Sequence, residues 1–139
     1  MSRAEILFNY IDTLKEKRSE LLKEIQKYLK DMEEVAELQT ILREHLLKSY
    51  FQPDNSKSCY INYCLSNDGE NKFRMFLPNS PILLFSINTK GKYTFCRKSN
   101  GNLMHPLIET EIEYLSAFCE YFPKYRDNVF KYVESFQNK

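Results

Sequence analysis

The amino-terminal third of the chain, residues 2–49, reads SRAEILFNYIDTLKEKRSELLKEIQKYLKDMEEVAELQTILREHLLKS and contains neither glycine nor proline. Ser2 is followed three residues later by Glu5, which is the capping-box pattern of a helix start. Lys and Glu fill the positions between regularly spaced apolar residues, and both favour helix. The segment therefore predicts one helix that begins at Ser2 and ends near Tyr50, before Pro53, with a length of about 70 Å.

Alternating steps of four and three residues along this helix select one continuous seam. The seam consists of Leu7, Ile11, Leu14, Arg18, Leu21, Ile25, Tyr28, Met32, Val35, Gln39, Leu42 and Leu46. Because the rest of the chain is too small to cover a seam of this length, we expect a coiled coil with a partner helix. Arg18 and Gln39 interrupt the seam, and polar residues at such positions fix register and partner choice. The alternative is a long helix that packs entirely on its own domain.

Beyond Pro53 the apolar residues change from a helical period to alternation, which is typical of strands. Four segments show this alternation or are almost continuously apolar, and turn residues such as Gly69 and Gly91 separate them. The segments are residues 59–65, 73–77, 82–87 and 93–97, and the turns between them are residues 67–69, 78–81 and 90–91. The pattern predicts a four-stranded antiparallel meander.

The carboxy-terminal third of the chain returns to helical spacing. Pro106 suits the first turn of a helix, and apolar residues from Leu107 to Phe122 follow a helical period. Pro123 is expected to break or kink this helix, and a second one continues to Phe136. The sequence thus predicts an α+β fold with a coiled-coil helix at residues 1–51. A globular domain follows at residues 52–139, a meander covered on one face by two helices.

The length and the charge of the chain limit its function. With 139 residues it has room for a single domain and an extended element. Its 19 acidic and 20 basic side chains almost cancel, so no long-range field draws it to nucleic acid or to an anionic membrane. No apolar run approaches the roughly 18 residues of a membrane span, and the first residues do not resemble a signal peptide. We expect a soluble intracellular protein.

One cluster allows a nucleic-acid hypothesis. Lysines and arginines at positions 90, 92, 97 and 98 flank Tyr93 and Phe95, a mixture that can contact phosphates and stack a base. Tyr93 and Phe95 alternate with polar positions, however, so we interpret them as core residues beneath a solvated basic edge. Direct nucleic-acid binding is therefore disfavoured.

Residues that commonly carry catalysis or bind metals are scattered. His45 and His105 are the only histidines and neither belongs to a recognisable motif. The cysteines, Cys59, Cys64, Cys96 and Cys119, show no paired spacing and have apolar neighbours, which predicts reduced, buried thiols. Cys59 and Cys64 are five residues apart on a predicted strand and point to opposite faces, so they do not share one metal ion. We expect no enzyme activity, no cofactor and no metal.

The order of elements, a coiled-coil helix followed by a four-stranded meander and two carboxy-terminal helices, resembles the RWD-type domains that end many kinetochore coiled coils. A more specific likeness lies in residues 80–87, SPILLFSI, then Tyr93-Thr94-Phe95, and then the helical region that ends with Phe130, Val133 and Phe136. Over residues 58–137 the chain resembles the larger of the two centromere-proximal subunits of the four-subunit outer-kinetochore complex that binds microtubules, a spindle-pole-component family. Its coil is shorter than is usual in that family.

The resemblance implies a non-enzymatic kinetochore component in the nucleus, at the centromere, that acts in chromosome segregation during mitosis. Its coil and globular domain would pair with a sister RWD-type subunit, and the paired domains would bind a helical segment of an inner-kinetochore protein. The architecture also resembles the monopolin subunit, a homodimeric kinetochore crosslinker, and more remotely prefoldin. A homodimeric coiled-coil adaptor or inhibitor outside the kinetochore, such as a viral protein that blocks a host factor, remains the other hypothesis.

Overall fold

The structure, a computed structural model of the chain, describes residues 1–50, 60–65, 69–78 and 83–139. Its elements, in chain order, are α1 Arg3–Leu46, β1 Tyr60–Leu65, β2 Asn71–Phe76, β3 Leu83–Asn88, β4 Tyr93–Arg97, β5 Leu103–Met104 and α2 Ile108–Glu134, followed by a 3-10 helix at Ser135–Asn138. The predicted α+β class is confirmed. The predicted boundary between residues 51 and 52, the strand starts at Cys59 and Ile82, and most of the turns at 67–69 and 78–81 lie outside the described residues.

The long helix α1 begins as predicted and ends earlier than predicted. At its start the Glu5 backbone N–H donates to the Ser2 hydroxyl oxygen at 3.1 Å. At its end Leu47 adopts the left-handed conformation, with φ of 53°, and the backbone N–H groups of Leu47 and Lys48 both donate to the Leu42 carbonyl. This closing turn ends α1 at Leu46 rather than near Tyr50. The expected end near Tyr50 relied on the distant Pro53, whereas a local backbone turn stops the helix.

The sheet is an antiparallel meander in the order β1-β2-β3-β4-β5. It has five strands instead of the four predicted, because the two residues of β5 pair with β4, Phe95 opposite Met104 and Cys96 opposite Leu103. The turn after β4 makes this possible, since Gly101 has a φ of 71° and its N–H donates to the Arg97 carbonyl at 2.8 Å. Two residues show no measurable alternation, so the pattern did not reveal this strand.

One continuous helix, α2, replaces the two carboxy-terminal helices that Pro123 was expected to separate. A proline inside a helix leaves the carbonyl four residues earlier without its usual N–H donor. Here that carbonyl belongs to Cys119, and the hydroxyl of Tyr28 in α1 lies 3.4 Å from it. The same hydroxyl is 3.0 Å from the Glu24 carboxylate, so its one proton serves two acceptors. Packing against α1 thus compensates for the bond that Pro123 removes.

Both helices lie side by side on one face of the sheet. Contacts between them advance together along both chains, from Tyr10 with Glu109, through Tyr28 with Cys119, to Asp31 with Arg126, so the two helices run parallel. The inward strand residues and the facing helix residues form a single core. It includes Ile25, Met32, Val35 and Ala36 of α1, Ile61, Phe73, Met75, Phe85, Ile87 and Phe95 of the sheet, and Tyr114, Leu115, Phe118, Phe122, Tyr125 and Val129 of α2. Much of α1 is therefore part of the globular core.

Candidate protein-interaction site

The predicted coiled-coil seam divides into three parts in the structure. Buried positions are Ile25, Met32, Val35, Gln39 and Leu42; half-buried ones are Ile11, Leu14, Arg18, Leu21 and Tyr28; exposed ones are Leu7 and Leu46. From Leu21 to Leu42 the seam packs against the chain's own helix and sheet, so α2 takes the place of the predicted partner helix there. Apolar spacing shows that a helix face needs a cover and does not show what covers it.

Arg18, expected to select a partner, forms an ion pair within the chain. Its guanidinium lies 3.6 Å from the Glu111 carboxylate of α2. The Tyr93 hydroxyl of β4 donates to the same carboxylate at 2.7 Å. Burial, together with this hydrogen bond to Glu111, raises the pKa of Tyr93 to about 12. The three side chains join α1, α2 and the sheet, and this polar group accounts for the break in the apolar seam.

Gln39, the second polar seam position, is also used internally and is only 1% exposed. Its amide nitrogen donates to the Tyr125 hydroxyl at 3.0 Å and to the Tyr50 carbonyl at 3.1 Å. Its amide oxygen accepts from the Tyr50 backbone N–H at 3.0 Å. The hydrogen bonds of Gln39 therefore hold Tyr50, which follows α1, against that helix, and they also connect α1 to α2.

The amino-terminal segment, Met1–Tyr10, includes the start of α1 and lacks such cover. Tyr10 is its last contact with α2, where the Tyr10 hydroxyl donates to the Glu109 carboxylate at 2.8 Å. Since α2 begins at Ile108 and runs parallel to α1, the residues before Tyr10 extend beyond the start of α2. In this segment Ile6 is 54%, Leu7 62% and Phe8 65% exposed.

These exposed side chains surround the helix rather than forming one stripe. Three consecutive residues of an α-helix point about 100° apart, so Ile6, Leu7 and Phe8 cover most of its circumference. The seam prediction selected Leu7 and missed Ile6 and Phe8, because a heptad pattern counts only one face. The uninterrupted triplet Ile6-Leu7-Phe8 at a helix start was the signal in the sequence. Near the start of α2, Leu103 and Leu107 are also exposed, by 71% and 76%.

A cleft of about 230 Å³ lies where the end of α1 meets the edge of the sheet. Arg43 makes two hydrogen bonds with other lining residues: its guanidinium donates to the Tyr63 carbonyl and to the Ser49 hydroxyl, both at 3.1 Å. The same group lies 4.9 Å from the centre of the Tyr63 ring. Since these contacts hold α1 to β1, Arg43 has a structural part in the cleft. The described lining includes the thiol of Cys64 and no histidine.

The remaining candidate chemical groups are dispersed across the described residues. The half-buried Cys119 thiol donates to the Leu21 carbonyl at 3.7 Å, and burial raises its pKa to about 11, so it stays protonated at neutral pH. His45 and His105 are both exposed. In the described ranges no three histidine, cysteine or acidic side chains come close enough to hold a metal ion. Cys59 lies outside those ranges.

The aromatic pair of the predicted basic edge faces inward. Phe95 is 4% exposed and packs in an edge-on contact with Tyr114 of α2, at 5.3 Å between ring centres. The hydroxyl of Tyr93 donates a hydrogen bond to the Glu111 carboxylate. This agrees with the interpretation of both rings as core residues beneath exposed lysines. Neither helix of the described chain has a stretch both long and apolar enough to traverse a lipid bilayer.

Comparison with protein-family models, with curated proteins and with solved structures finds no significant match to this chain. Function is therefore inferred from the surfaces of the molecule. Among the described surfaces, the amino-terminal segment carries the largest group of exposed large apolar side chains on one helix, which are Met1, Ile6, Leu7, Phe8 and Tyr10.

Proposed function

We propose that this chain is a protein-association module that assembles through the amino-terminal segment of α1. The observation that supports this most directly is the exposure of Ile6, Leu7 and Phe8, each by more than half, on a helix that has passed the end of its internal partner. Leaving such residues in water opposes folding stability and solubility, so an uncovered apolar helix end commonly marks an interface.

The size of this surface supports the same conclusion. With about 200 Å² for each large side chain, the exposed fractions of Met1, Ile6, Leu7, Phe8 and Tyr10 amount to roughly 600 Å². The largest apolar patch on a typical monomer covers about 300–600 Å² and is often functional, so this surface lies at the upper end of that range; each partner in a standard interface contributes about 800 Å². The segment thus approaches the area of an interface half, and modest additional contacts nearby would complete one.

The setting that we propose is the kinetochore. There the chain would pair with a sister RWD-type subunit and link the microtubule-binding outer complex to inner-kinetochore proteins. Support comes from the sequence, in particular residues 80–87 and the order of helix, antiparallel meander and carboxy-terminal helical region. In this proposal the partner helix contacts the amino-terminal segment, since the seam from Leu21 to Leu42 is occupied by the chain itself.

A homodimeric adaptor is the second candidate, and one feature favours it. Arg3 and Glu5 give the amino-terminal segment charges of opposite sign, so two copies of it do not repel each other strongly. In that arrangement the apolar ends of two chains would bury each other without any other subunit.

The experiment is light scattering of the purified chain, alone over a wide concentration range and after co-expression with a candidate sister subunit. A variant with Ile6, Leu7 and Phe8 all changed to Ser is measured in parallel. Leu65→Ser is the matched control, since Leu65 is 55% exposed at the end of β1. We expect the triple variant to lose association while keeping the urea midpoint of the wild type, because the three residues lie outside the core.

The outcomes separate the candidates. A dimer of the chain alone that the triple change abolishes supports the adaptor, and a heterodimer that it abolishes supports the kinetochore pairing. Association that survives the triple change refutes the assigned surface. A wild-type chain that stays monomeric and forms no complex refutes the proposed function.

A further inference from the structure

The second face of the sheet carries a distinct surface. Both helices pack on the face that presents Phe73, Phe85 and Phe95, and no other described element covers the opposite face. Because side chains alternate along strands, the outward set is defined by the register. Arg74 lies opposite Ser86, and Leu84 lies opposite Cys96.

An apolar row crosses this outward face. Met75 pairs with Phe85, which places Phe76 beside Leu84; Leu84 pairs with Cys96, and Cys96 pairs with Leu103. Four neighbouring strands thus each contribute one apolar side chain, and we call Phe76, Leu84, Cys96 and Leu103 the outer apolar row. With strands about 4.8 Å apart, the row is about 14 Å long. The first three residues are half-buried by their neighbours, and Leu103 is 71% exposed.

Positive charge flanks the outer apolar row on both sides. Arg74 points outward two residues before Phe76, is exposed, and forms no ion pair or hydrogen bond in the described structure. On the other side the Lys98 ammonium lies 4.6 Å from the centre of the Phe76 ring. The strands β1 to β5 contain no Asp or Glu. The nearby Glu70 precedes β2 and lies 3.9 Å from Lys72. The face is therefore apolar along its centre and basic at its edges.

We propose that this face binds an acidic, amphipathic segment of a partner protein. Apolar side chains of that segment would lie along the outer apolar row, and its carboxylates would face Arg74 and Lys98. A row of about 14 Å matches roughly ten residues of α-helix, at 1.5 Å per residue. The inference goes beyond association through the amino-terminal segment, because it concerns another element and other residues.

The composition of the row favours a peptide over a nucleic acid. Non-specific binding of single strands depends on several aromatic rings on which successive bases stack. Among the outward residues of β2 to β5, Phe76 is the only aromatic ring, and the Lys98 ammonium lies over it. Leu84, Cys96 and Leu103 offer aliphatic and thiol surface, which suits leucine-like side chains. Charge alone would attract both classes, and the apolar row distinguishes them.

The test uses the full chain and a fluorescent synthetic helix-forming peptide with leucines on one face and glutamates beside them. We expect it to bind, and Arg74→Glu to weaken binding by about tenfold or more through the reversed charge. Lys92→Glu is the matched control, because Lys92 is also exposed and lies in the β3–β4 turn, away from the row. Leu103→Ser should weaken binding as well, whereas Leu65→Ser should not. Unchanged urea midpoints establish that the variants are folded.

Several results would overturn the proposal. One is equal binding of a charge-reversed peptide in which lysines replace the glutamates. Another is an equal loss of peptide affinity in Arg74→Glu and Lys92→Glu, which would indicate a general attraction between the peptide and any positive charge on the chain. Tighter binding of oligothymidylate than of the acidic peptide would assign the face to nucleic acid instead. No binding of the peptide at all would also refute it.

Discussion

Replacing Gln39 by leucine distinguishes the intramolecular role of this residue from the role that the heptad pattern suggested. At a polar core position of a coiled coil, leucine raises stability and alters register or partner choice. In the structure the same change removes all three hydrogen bonds of a side chain that is 1% exposed. The two interpretations therefore predict effects of opposite sign on the free energy of unfolding.

The magnitude follows from the groups left behind. Gln39→Leu removes the amide that donates to the Tyr125 hydroxyl and leaves the N–H and carbonyl of Tyr50 without their partner. A hydrogen bond contributes about 1 kcal/mol net, and a buried polar group that loses its partner costs about 1–3 kcal/mol. Tyr50 is only half-buried, so its backbone groups partly regain water. We expect a total loss of about 2–3 kcal/mol.

Urea unfolding followed by circular dichroism measures this loss as a shift of the midpoint by about 1–2 M. Glu37→Leu is the control on an exposed site of the same helix, with an expected change within about 0.5 kcal/mol. In a Tyr125→Phe background, Gln39→Leu should cost about 0.5–1.5 kcal/mol less, since one acceptor is already gone. A Gln39→Leu chain that is as stable as the wild type, or that changes its oligomeric state, would contradict the internal role.

Three further changes test other features. Leu47→Gly should raise the free energy of unfolding by about 0.5–1 kcal/mol, because Leu47 is 91% exposed with a left-handed backbone that glycine adopts without strain; a lower urea midpoint would contradict this. Pro123→Ala should stabilise α2 by about 1–3 kcal/mol, because it restores the backbone N–H that donates to the Cys119 carbonyl. The same change should reduce the cost of Tyr28→Phe in a double-mutant cycle, and an unchanged cost would refute the contact between the Tyr28 hydroxyl and that carbonyl. Burial raises the folded-state pKa of Tyr125 to about 12 from 10.0. Between these two pKa values the folded chain keeps the Tyr125 proton and the unfolded chain loses it. The free energy of unfolding is therefore unaffected by Tyr125 below pH 10 and falls by about 2 kcal/mol as the pH rises to 12. Alkaline urea titrations should show a smaller loss for Tyr125→Phe, and equal losses would refute it.

Much of the fold follows from local patterns in the chain. Ser2 and Glu5 marked the start of α1 because a helix cap needs only neighbouring residues. Alternation located β1, β2 and β4, and an almost continuous apolar run located β3, since a buried sheet face must be apolar. Pro123 misled the prediction, because the bond it removes is compensated by Tyr28 from a distant helix. The short strand β5 depends on pairing with β4 and has no pattern of its own.

The candidate interaction site, like the fold, follows partly from the sequence and partly from the tertiary structure. The sequence by itself determined that α1 has more apolar surface than a free helix tolerates, and that polar residues interrupt it at Arg18 and Gln39. Only the tertiary structure decided that α2 runs parallel to α1 and that α2 and the sheet cover α1 from Leu21 to Leu42, while Ile6 to Phe8 stay uncovered. Periodicity records which side chains need burial, because burial depends on their own chemistry. The identity of the covering surface depends on how distant elements pack, and the register of α1 against α2 sets where that cover ends.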